Sequence, residues 1–422
     1  MDEFLNYDYL SKTDVILSLL INIPFVLYWV FKLAAALTNF SRISNVKSGI
    51  YNGYWIDPIK KEINCEVLRL KKTIRGLRII PLYKHKTFHD YKVLLKPYKL
   101  NHYIFGAVWS GKEDTIYRGY SLFLYDIEND TFIGKWIGPK SNGHINSGDW
   151  HMAFFTDVNS LYINYLKLRK FYTLREMFFP STTILTHIIA KHKTYPFDTF
   201  KVENIELRIN ENSFIPTLGK ISIPFIKYIQ TKVNSSDAVL DIGTGTGFYP
   251  IYLAKNIRCN VKGIDIGEKT ITLARSNAIQ NEVSSLVEFD VCKEDELFFS
   301  ISTKEKFDFI IANLPFTRVA KSYQSRNSNF YSSFAGSVNL LEQLILGSQY
   351  HIKPNGKLLF CYGESGYRDL LESLVKISSW GYLNIVKTIT EKDETFYIME
   401  LELSERVKNY YSELNEMQQK LK

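Results

Sequence analysis

A glycine-rich turn in the second half of the chain limits most strongly what the sequence can fold into. Residues 239–242 are an apolar run interrupted only by Asp241, and the glycines Gly243, Gly245 and Gly247 follow at alternate positions. Glycine lets the backbone approach a ligand closely, and a turn of this kind leads into the N-terminus of a helix. The pattern predicts a nucleotide-cofactor loop after the first strand of a doubly wound sheet.

The spacing of the glycines indicates which cofactor the loop binds. A dinucleotide fingerprint has the form GxGxxG, whereas this loop has the form GxGxG with Asp241 two residues ahead of it. We therefore expect S-adenosylmethionine rather than NAD, held by Asp241 and the three glycines.

Two further acids follow the next two predicted strands. Residues 261–265 end at Asp265, whose carboxylate can accept hydrogen bonds from both ribose hydroxyls. Residues 286–290 end at Asp290, and either this acid or Asp295 could bind the adenine amino group; the sequence favours Asp290.

The fourth predicted strand leads directly into a tetrapeptide with a chemical use. Residues 307–312 are followed by Asn313, Leu314, Pro315 and Phe316. The Asn313 side-chain carbonyl and the Leu314 backbone carbonyl can both accept hydrogen bonds from one planar NH₂ group. Pro315 stiffens the turn, and Phe316 can stack on a planar base or amide. The tetrapeptide predicts catalysis by positioning, in which the nitrogen lone pair is directed at a methyl group; the alternative is a plain strand-to-loop turn.

With these motifs, residues from about 200 to 403 resemble the class I S-adenosylmethionine-dependent methyltransferases of the amino-methylating branch. The glycine loop and residues 214–217, Phe-Ile-Pro-Thr, are similar to those of protein-glutamine N5-methyltransferases. Asn-Leu-Pro-Phe departs from their usual Asn-Pro-Pro-Tyr, and its Leu314 is more similar to ribosomal-RNA adenine dimethyltransferases. The resemblance implies an α/β Rossmann-like domain with a seven-stranded mixed sheet whose last strand is antiparallel.

The rest of that domain can be placed from its turns and apolar runs. Residues 354–356, Pro-Asn-Gly, are predicted to turn before a strand over 357–362, and residues 383–386 and 395–403 are the last two strand patterns. Residues 317–335 are predicted to form a loop over the active site.

The first half of the chain has a different pattern. Between residues 46 and 155, short apolar and aromatic runs alternate with turn signals every 8–12 residues, which is typical of a meander, a sandwich or a small barrel. Twelve basic residues oppose three acidic ones between residues 60 and 99. This basic patch is open to three interpretations, namely a solvated face, binding of anionic lipid headgroups, and binding of a nucleic-acid backbone.

An apolar segment near the start predicts a membrane anchor. Residues 15–37 contain 17 uncharged residues in a row up to Phe31, and Lys32 is their first charge. The leader before them is acidic, which argues against a signal peptide. A buried or amphipathic helix of a soluble protein is the remaining alternative. Basic residues after the segment place the rest of the chain in the cytoplasm.

The cysteines agree with that location. Cys65, Cys259, Cys292 and Cys361 lie far apart without a CxxC pair, so neither a disulfide framework nor a metal site is expected. Free thiols fit a reducing compartment.

The sequence thus predicts a membrane-anchored methyltransferase with a cytoplasmic active site. Its expected acceptor is an exocyclic amine of a nucleic-acid base, in RNA or DNA, with protein glutamine as the alternative. An alternative of another class is a non-catalytic protein that binds S-adenosylmethionine as a sensor or scaffold. The predicted segments are a transmembrane anchor over residues 1–45, a β-rich basic domain over 46–155, a helical connector over 156–198, the methyltransferase domain over 199–403 and a helical tail over 404–422.

Overall fold

The structure is a computed structural model. It describes residues 43–57, 62–73, 75–82, 91–97, 103–111, 118–139, 145–156, 159–175, 194–195, 198–210, 213–302, 305–318, 335–378, 380–391, 394–405 and 407–409.

Eight antiparallel strands form a closed barrel in the first half of the chain. They are β1 (Gly49–Asp57), β2 (Glu62–Thr73), β3 (Gly76–Pro81), β4 (Tyr91–Pro97), β5 (Ile104–Gly111), β6 (Arg118–Asp126), β7 (Thr131–Pro139) and β8 (Ile145–Thr156). Each strand pairs with the next along the chain, and β8 pairs back onto β1, so that no strand in this sheet has a free edge. Of the three architectures that the sequence left open, the structure has the barrel.

Alternation along the strands explains both the core of the barrel and its charge. On β2, Leu68 and Leu70 point inward and are fully buried, while Lys71 points outward and is exposed. Arg78 on β3 and Lys96 on β4 are exposed in the same way. A strand turns successive side chains to opposite faces, so one sequence supplies an apolar interior and a basic outer face. Lys71, Arg78 and Lys96 of the basic patch therefore lie on the outside of β2, β3 and β4, whereas the ammonium of Lys72 donates to the Ser44 carbonyl.

Among the described residues, a helix follows the barrel along the chain. Helix α1 (Asn159–Arg175) lies within the predicted connector. The Tyr165 hydroxyl and the Arg169 guanidinium both donate to the carboxylate of Glu342, and the Tyr172 hydroxyl donates to Asp369. The helix is thereby attached to the carboxy-terminal domain at three points.

The carboxy-terminal domain contains a mixed sheet between two layers of helices. A hairpin precedes it, made of β9 (Thr199–Val202) and β10 (Ile205–Arg208). The sheet strands are β11 (Ala238–Ile242), β12 (Asn260–Asp265), β13 (Val287–Val291), β14 (Phe307–Ala312), β17 (Ile352–Gly363), β18 (Trp380–Glu391) and β19 (Glu394–Leu403). Two short strands, β15 (Thr317–Arg318) and β16 (Ala335–Gly336), pair with each other beside the sheet.

Helices connect the strands of this sheet. They are α2 (Ser222–Gln230), α3 (Phe248–Asn256), α4 (Glu268–Gln280), α5 (Val338–Glu342), which continues as a π-helical turn over Gln343–Gly347, and α6 (Arg368–Ile377); a 3₁₀ turn covers Pro216–Leu218. Two apolar cores result, one on each face of the sheet.

The strand order defines the fold. It is β13-β12-β11-β14-β17-β19-β18, and the first five strands are parallel. The last strand, β19, lies antiparallel between β17 and β18. This is the seven-stranded mixed sheet that the resemblance implied, and it is the fold of a class I methyltransferase. The carboxyl ends of β11, β12 and β14 meet at one edge, where doubly wound folds bind their ligands.

One local prediction within the domain is wrong. Residues 354–356 do not turn the chain but lie inside β17, where the pairing slips from Phe307–Ile352 to Phe309–Lys357. The Pro-Asn-Gly sequence makes an irregularity in a continuous strand, because residues on both sides of it pair with β14.

Several other predictions fall outside the described residues. The proposed membrane segment over 15–37, residues 319–334 of the proposed active-site loop and most of the proposed tail are among them. Within the parts of the chain that the structure describes, no helix combines the length and the apolar character needed to cross a membrane.

Candidate active site

The glycine loop is attached to the neighbouring strand and bends sharply. The backbone N–H groups of Gly243 and Thr244 both donate to the carbonyl of Ile264 on β12, at 2.8 and 3.0 Å. Gly243, Gly245 and Gly247 have φ values of +75°, +56° and +83°. Side chains disfavour this left-handed region, which explains why glycine occupies all three positions.

Asp265 at the end of β12 stabilises this loop. Its two carboxylate oxygens accept from the backbone N–H groups of Gly245 and Gly267, each at 3.0 Å. Burial raises the pKa of Asp265, and these backbone hydrogen bonds oppose the rise because they favour the charged form. The structure thus shows that Asp265 holds the glycine loop. Binding of the ribose by Asp265 stays a prediction.

Asp241 is the most unusual group of the site. It is fully buried, and neither of its carboxylate oxygens has a hydrogen-bond partner among the described residues. Burial raises the pKa of Asp241 to about 7; the nearby Thr244 hydroxyl opposes the rise without completing a hydrogen bond, and the Asp265 charge adds to it. A buried carboxylate without a partner is costly unless a ligand supplies one.

These features fit S-adenosylmethionine. A Cβ added to Gly245 would meet nothing within 4 Å, so the backbone borders open space at that point. The side-chain oxygens of Asp241 and Thr244 in and beside this loop have no hydrogen-bond partner among the described residues. A cofactor with an ammonium group, a sulfonium and a ribose supplies the donors and the positive charge that these groups lack.

Asn313 follows β14 at the same edge of the sheet. Its side-chain nitrogen donates to the Ser222 hydroxyl at 3.2 Å and to the Tyr249 hydroxyl at 3.0 Å. Ser222 begins α2 and Tyr249 lies in α3, so three separate elements meet at this amide.

Leu314 joins the two motifs. Its side chain lies 2.6 Å from where a Cβ on Gly243 would stand. The glycine loop and the tetrapeptide are therefore in direct contact, and any larger residue at position 243 would push Leu314 aside.

Phe316 and Pro315 border a cavity beside the tetrapeptide. The Phe316 ring packs against Tyr362 and Phe396, with centroids 5.6 and 6.1 Å apart. The cavity is lined by Leu314, Pro315 and Phe316 together with Gly336, Ser337, Leu340, Leu341, Leu344, Cys361, Tyr362 and Tyr367. It is mostly apolar and has room for about one water molecule.

Asp290 has a different environment from the other acids. Its carboxylate lies 3.1 Å from the ammonium of Lys262, which also pairs with Glu288 and Glu305. Binding of the adenine amino group by Asp290 stays a prediction, and in that role the acid would share its carboxylate with Lys262.

Three residues of the site were not identified from the sequence. Ser222 and Tyr249 contact Asn313, and Asn277 on α4 donates to the carbonyls of Thr246 and Arg208 at 2.9 and 3.1 Å. Asn277 is fully buried, and its two hydrogen bonds connect the glycine loop to the end of β10. The one available sequence signal was the position of Ser222 just after the Phe-Ile-Pro-Thr segment.

Comparison with known proteins agrees with this geometry. Residues 233–415 match a family described as a methyltransferase domain. This part of the chain is a methyltransferase domain, as the sequence predicts, and its cofactor is S-adenosylmethionine.

The chain matches only part of the length of each of these curated relatives. The chain is 33% identical over 115 residues to a release factor glutamine methyltransferase of Flavobacterium psychrophilum, which covers 26% of this chain and 38% of the relative. It is 33% identical over 129 residues to a tRNA1(Val) (adenine(37)-N6)-methyltransferase of Bacteroides fragilis, covering 30% and 52%. The chain thus spans about half the length, or less, of these relatives.

Among solved structures, a methyltransferase from Pyrococcus furiosus is similar at 14% identity with a TM-score of 0.34. That match covers 52% of this chain and 96% of the other.

Proposed function

We propose that the protein is an S-adenosylmethionine-dependent N-methyltransferase that acts on a planar amino nitrogen. The observation that supports this most directly is the environment of Asn313. Its amide nitrogen is engaged by two hydroxyls, so its oxygen is available at the edge of the sheet beside the glycine loop.

Positioning is the chemistry that these residues offer. When bound, S-adenosylmethionine supplies an electrophilic methyl group on its sulfonium. The Asn313 side-chain oxygen and the Leu314 backbone carbonyl accept two hydrogen bonds from one acceptor amino group, which fixes the direction of the nitrogen lone pair. Phe316 in the same turn offers an aromatic face on which the planar part of the acceptor can stack.

We favour a nucleic-acid base amine as the acceptor. Phe316 fits a stacked base, and the outer face of β2, β3 and β4 exposes Lys71, Arg78 and Lys96, which suit a phosphate backbone. Protein glutamine is the second candidate. The named relatives include one enzyme of each kind, a tRNA adenine methyltransferase and a release factor glutamine methyltransferase.

Labelled cofactor distinguishes the two acceptors. The protein is incubated with extract and methyl-labelled S-adenosylmethionine, with Asn313→Ala as the control. The labelled product is divided into two portions, of which one is digested with nuclease and the other with protease. Label released by nuclease supports the base amine, and label released by protease supports glutamine. Equal incorporation by wild type and Asn313→Ala would contradict the proposed reaction.

We further propose that residues 15–37 anchor the chain in a membrane with the catalytic domain in the cytoplasm. The apolar length of that segment, its acidic leader and the basic residues after it support the anchor. Anionic lipid headgroups are then the alternative partner of this basic face, in place of a nucleic-acid backbone.

Fractionation tests the anchor. The full chain is expected to sediment with membranes and to remain there after a high-salt wash. Removal of residues 1–40 should release it, and retention of that truncated chain after the wash would contradict the anchor.

Binding without catalysis is the alternative of another class. A sensor or scaffold would bind S-adenosylmethionine but transfer no methyl group to any component of the extract. The accessible Asn313 oxygen favours catalysis, since binding of the cofactor alone does not need it.

A further inference from the structure

The side-chain amide of Asn313 can point in two directions of nearly equal shape. Rotation by half a turn exchanges its oxygen and nitrogen, so packing alone does not choose between them. The choice matters, because an acceptor NH₂ group presents donors and needs an oxygen opposite it. A nitrogen in that place would direct the N–H donors of the amide at the N–H donors of the acceptor.

In the structure, two hydroxyls accept from the amide nitrogen, and the amide oxygen lies on the opposite side. The amide nitrogen has two hydrogens, and they are directed to Ser222 Oγ at 3.2 Å and Tyr249 Oη at 3.0 Å. Both partners are buried, at 0% and 5% exposure, so water does not replace these bonds easily. The Asn313 oxygen has no protein partner among the described residues and is left to accept from a substrate.

The surroundings of Tyr249 agree with this arrangement. Burial raises the pKa of Tyr249 well above its ordinary value, so the phenol stays neutral. The Ser222 hydroxyl and the Asn313 amide oppose this rise, as donors to the phenol oxygen do. The hydroxyl oxygens of Ser222 and Tyr249 each accept one hydrogen bond from the amide nitrogen.

We propose that Tyr249 and Ser222 are positioning residues that orient the Asn313 amide so that its oxygen faces the acceptor amino group. This inference rests on the proposed methyl transfer and names two residues that act on it through Asn313. It also gives a purpose to the helix that follows the Phe-Ile-Pro-Thr segment, since that helix begins at Ser222.

Three variants and one control test the proposal. Tyr249→Phe and Ser222→Ala each remove one hydroxyl, and Ser222→Thr keeps it. Tyr252→Phe is the matched control, because Tyr252 lies one turn later in the same helix and is equally buried. Its hydroxyl contacts Glu203, Gln230 and Lys227 instead of the site.

The transfer of labelled methyl to extract is measured at saturating S-adenosylmethionine, and cofactor affinity is measured by calorimetry. We expect Tyr249→Phe and Ser222→Ala to lower transfer about tenfold each, the size of one hydrogen bond, with cofactor affinity changed less than about twofold. Ser222→Thr should retain more transfer than Ser222→Ala. Transfer by Tyr249→Phe equal to that of the Tyr252→Phe control would overturn the proposal.

A measurement that does not depend on methyl transfer separates this inference from the proposed function. In ¹⁵N spectra the Asn313 side-chain NH₂ protons should exchange slowly with water in the wild type and about tenfold faster in Tyr249→Phe. If the wild type transfers no label, the proposed function fails, while the exchange rates still test the amide. Unchanged exchange in Tyr249→Phe would show that the two hydroxyls do not hold the amide.

Discussion

Cofactor binding is expected to depend on pH through Asp241. Burial raises the pKa of this carboxyl to about 7 from an ordinary value of 3.8. That difference corresponds to about 4 kcal/mol in favour of the protonated form. The folded protein binds the proton more tightly than the unfolded chain does. The stability gained from this group is therefore complete at low pH and is lost as the pH rises through about 7.

The cofactor reverses this preference, because its positive charges favour the ionised carboxylate. Asp241 is about one-tenth ionised at pH 6 and half ionised at pH 7, so affinity for S-adenosylmethionine should rise about fivefold between these values. Calorimetric titrations at pH 6.0, 6.5 and 7.0 measure the rise.

Asp241→Asn is the control for the other groups that titrate nearby, since the pKa of Asp265 is also raised. The variant should bind more weakly, and its affinity should change less with pH. Identical pH profiles for wild type and Asp241→Asn would refute the assignment of the titrating group.

Two further substitutions test the loop itself. Gly245→Ala should destabilise the protein by only about 1–2 kcal/mol, the cost of a left-handed alanine, because its Cβ meets no protein atom. The free energy of cofactor binding should fall by more than the free energy of unfolding. Calorimetry measures the first and urea denaturation the second, and equal losses of the two would contradict this expectation. Asn277→Ala should lower the free energy of unfolding by about 2–3 kcal/mol, since it leaves the Thr246 and Arg208 carbonyls without their donor. An unchanged free energy of unfolding in urea denaturation would contradict the role of Asn277 in holding the loop.

Local sequence patterns were enough to predict the sheet and the polar residues near the carboxyl ends of its strands. The position of Asp241 could be predicted because it precedes the glycine turn. Asp265 and Asn313 end or follow apolar runs, and the ends of parallel strands meet at one edge. The glycines were recognisable because a left-handed turn requires them.

Contacts between distant parts of the chain were not predictable in this way. Ser222 and Asn313 are 91 positions apart, and nothing near either residue indicates that they meet. Closure of the barrel depends likewise on pairing between its first and last strands. Residues 354–356 were misjudged because pairing with β14 on both sides overrides the turn preference of Pro-Asn-Gly.

In the proposed reaction, Asn313 positions an acceptor amine and does not hold the cofactor. Asn313→Ala tests it when the rate of methyl transfer and the dissociation constant of S-adenosylmethionine are measured on the same preparation. Transfer is expected to fall at least about a hundredfold while cofactor affinity stays within about threefold, because positioning acts only on the reacting group. Retained transfer, or a loss of cofactor affinity as large as the loss of transfer, would contradict the account.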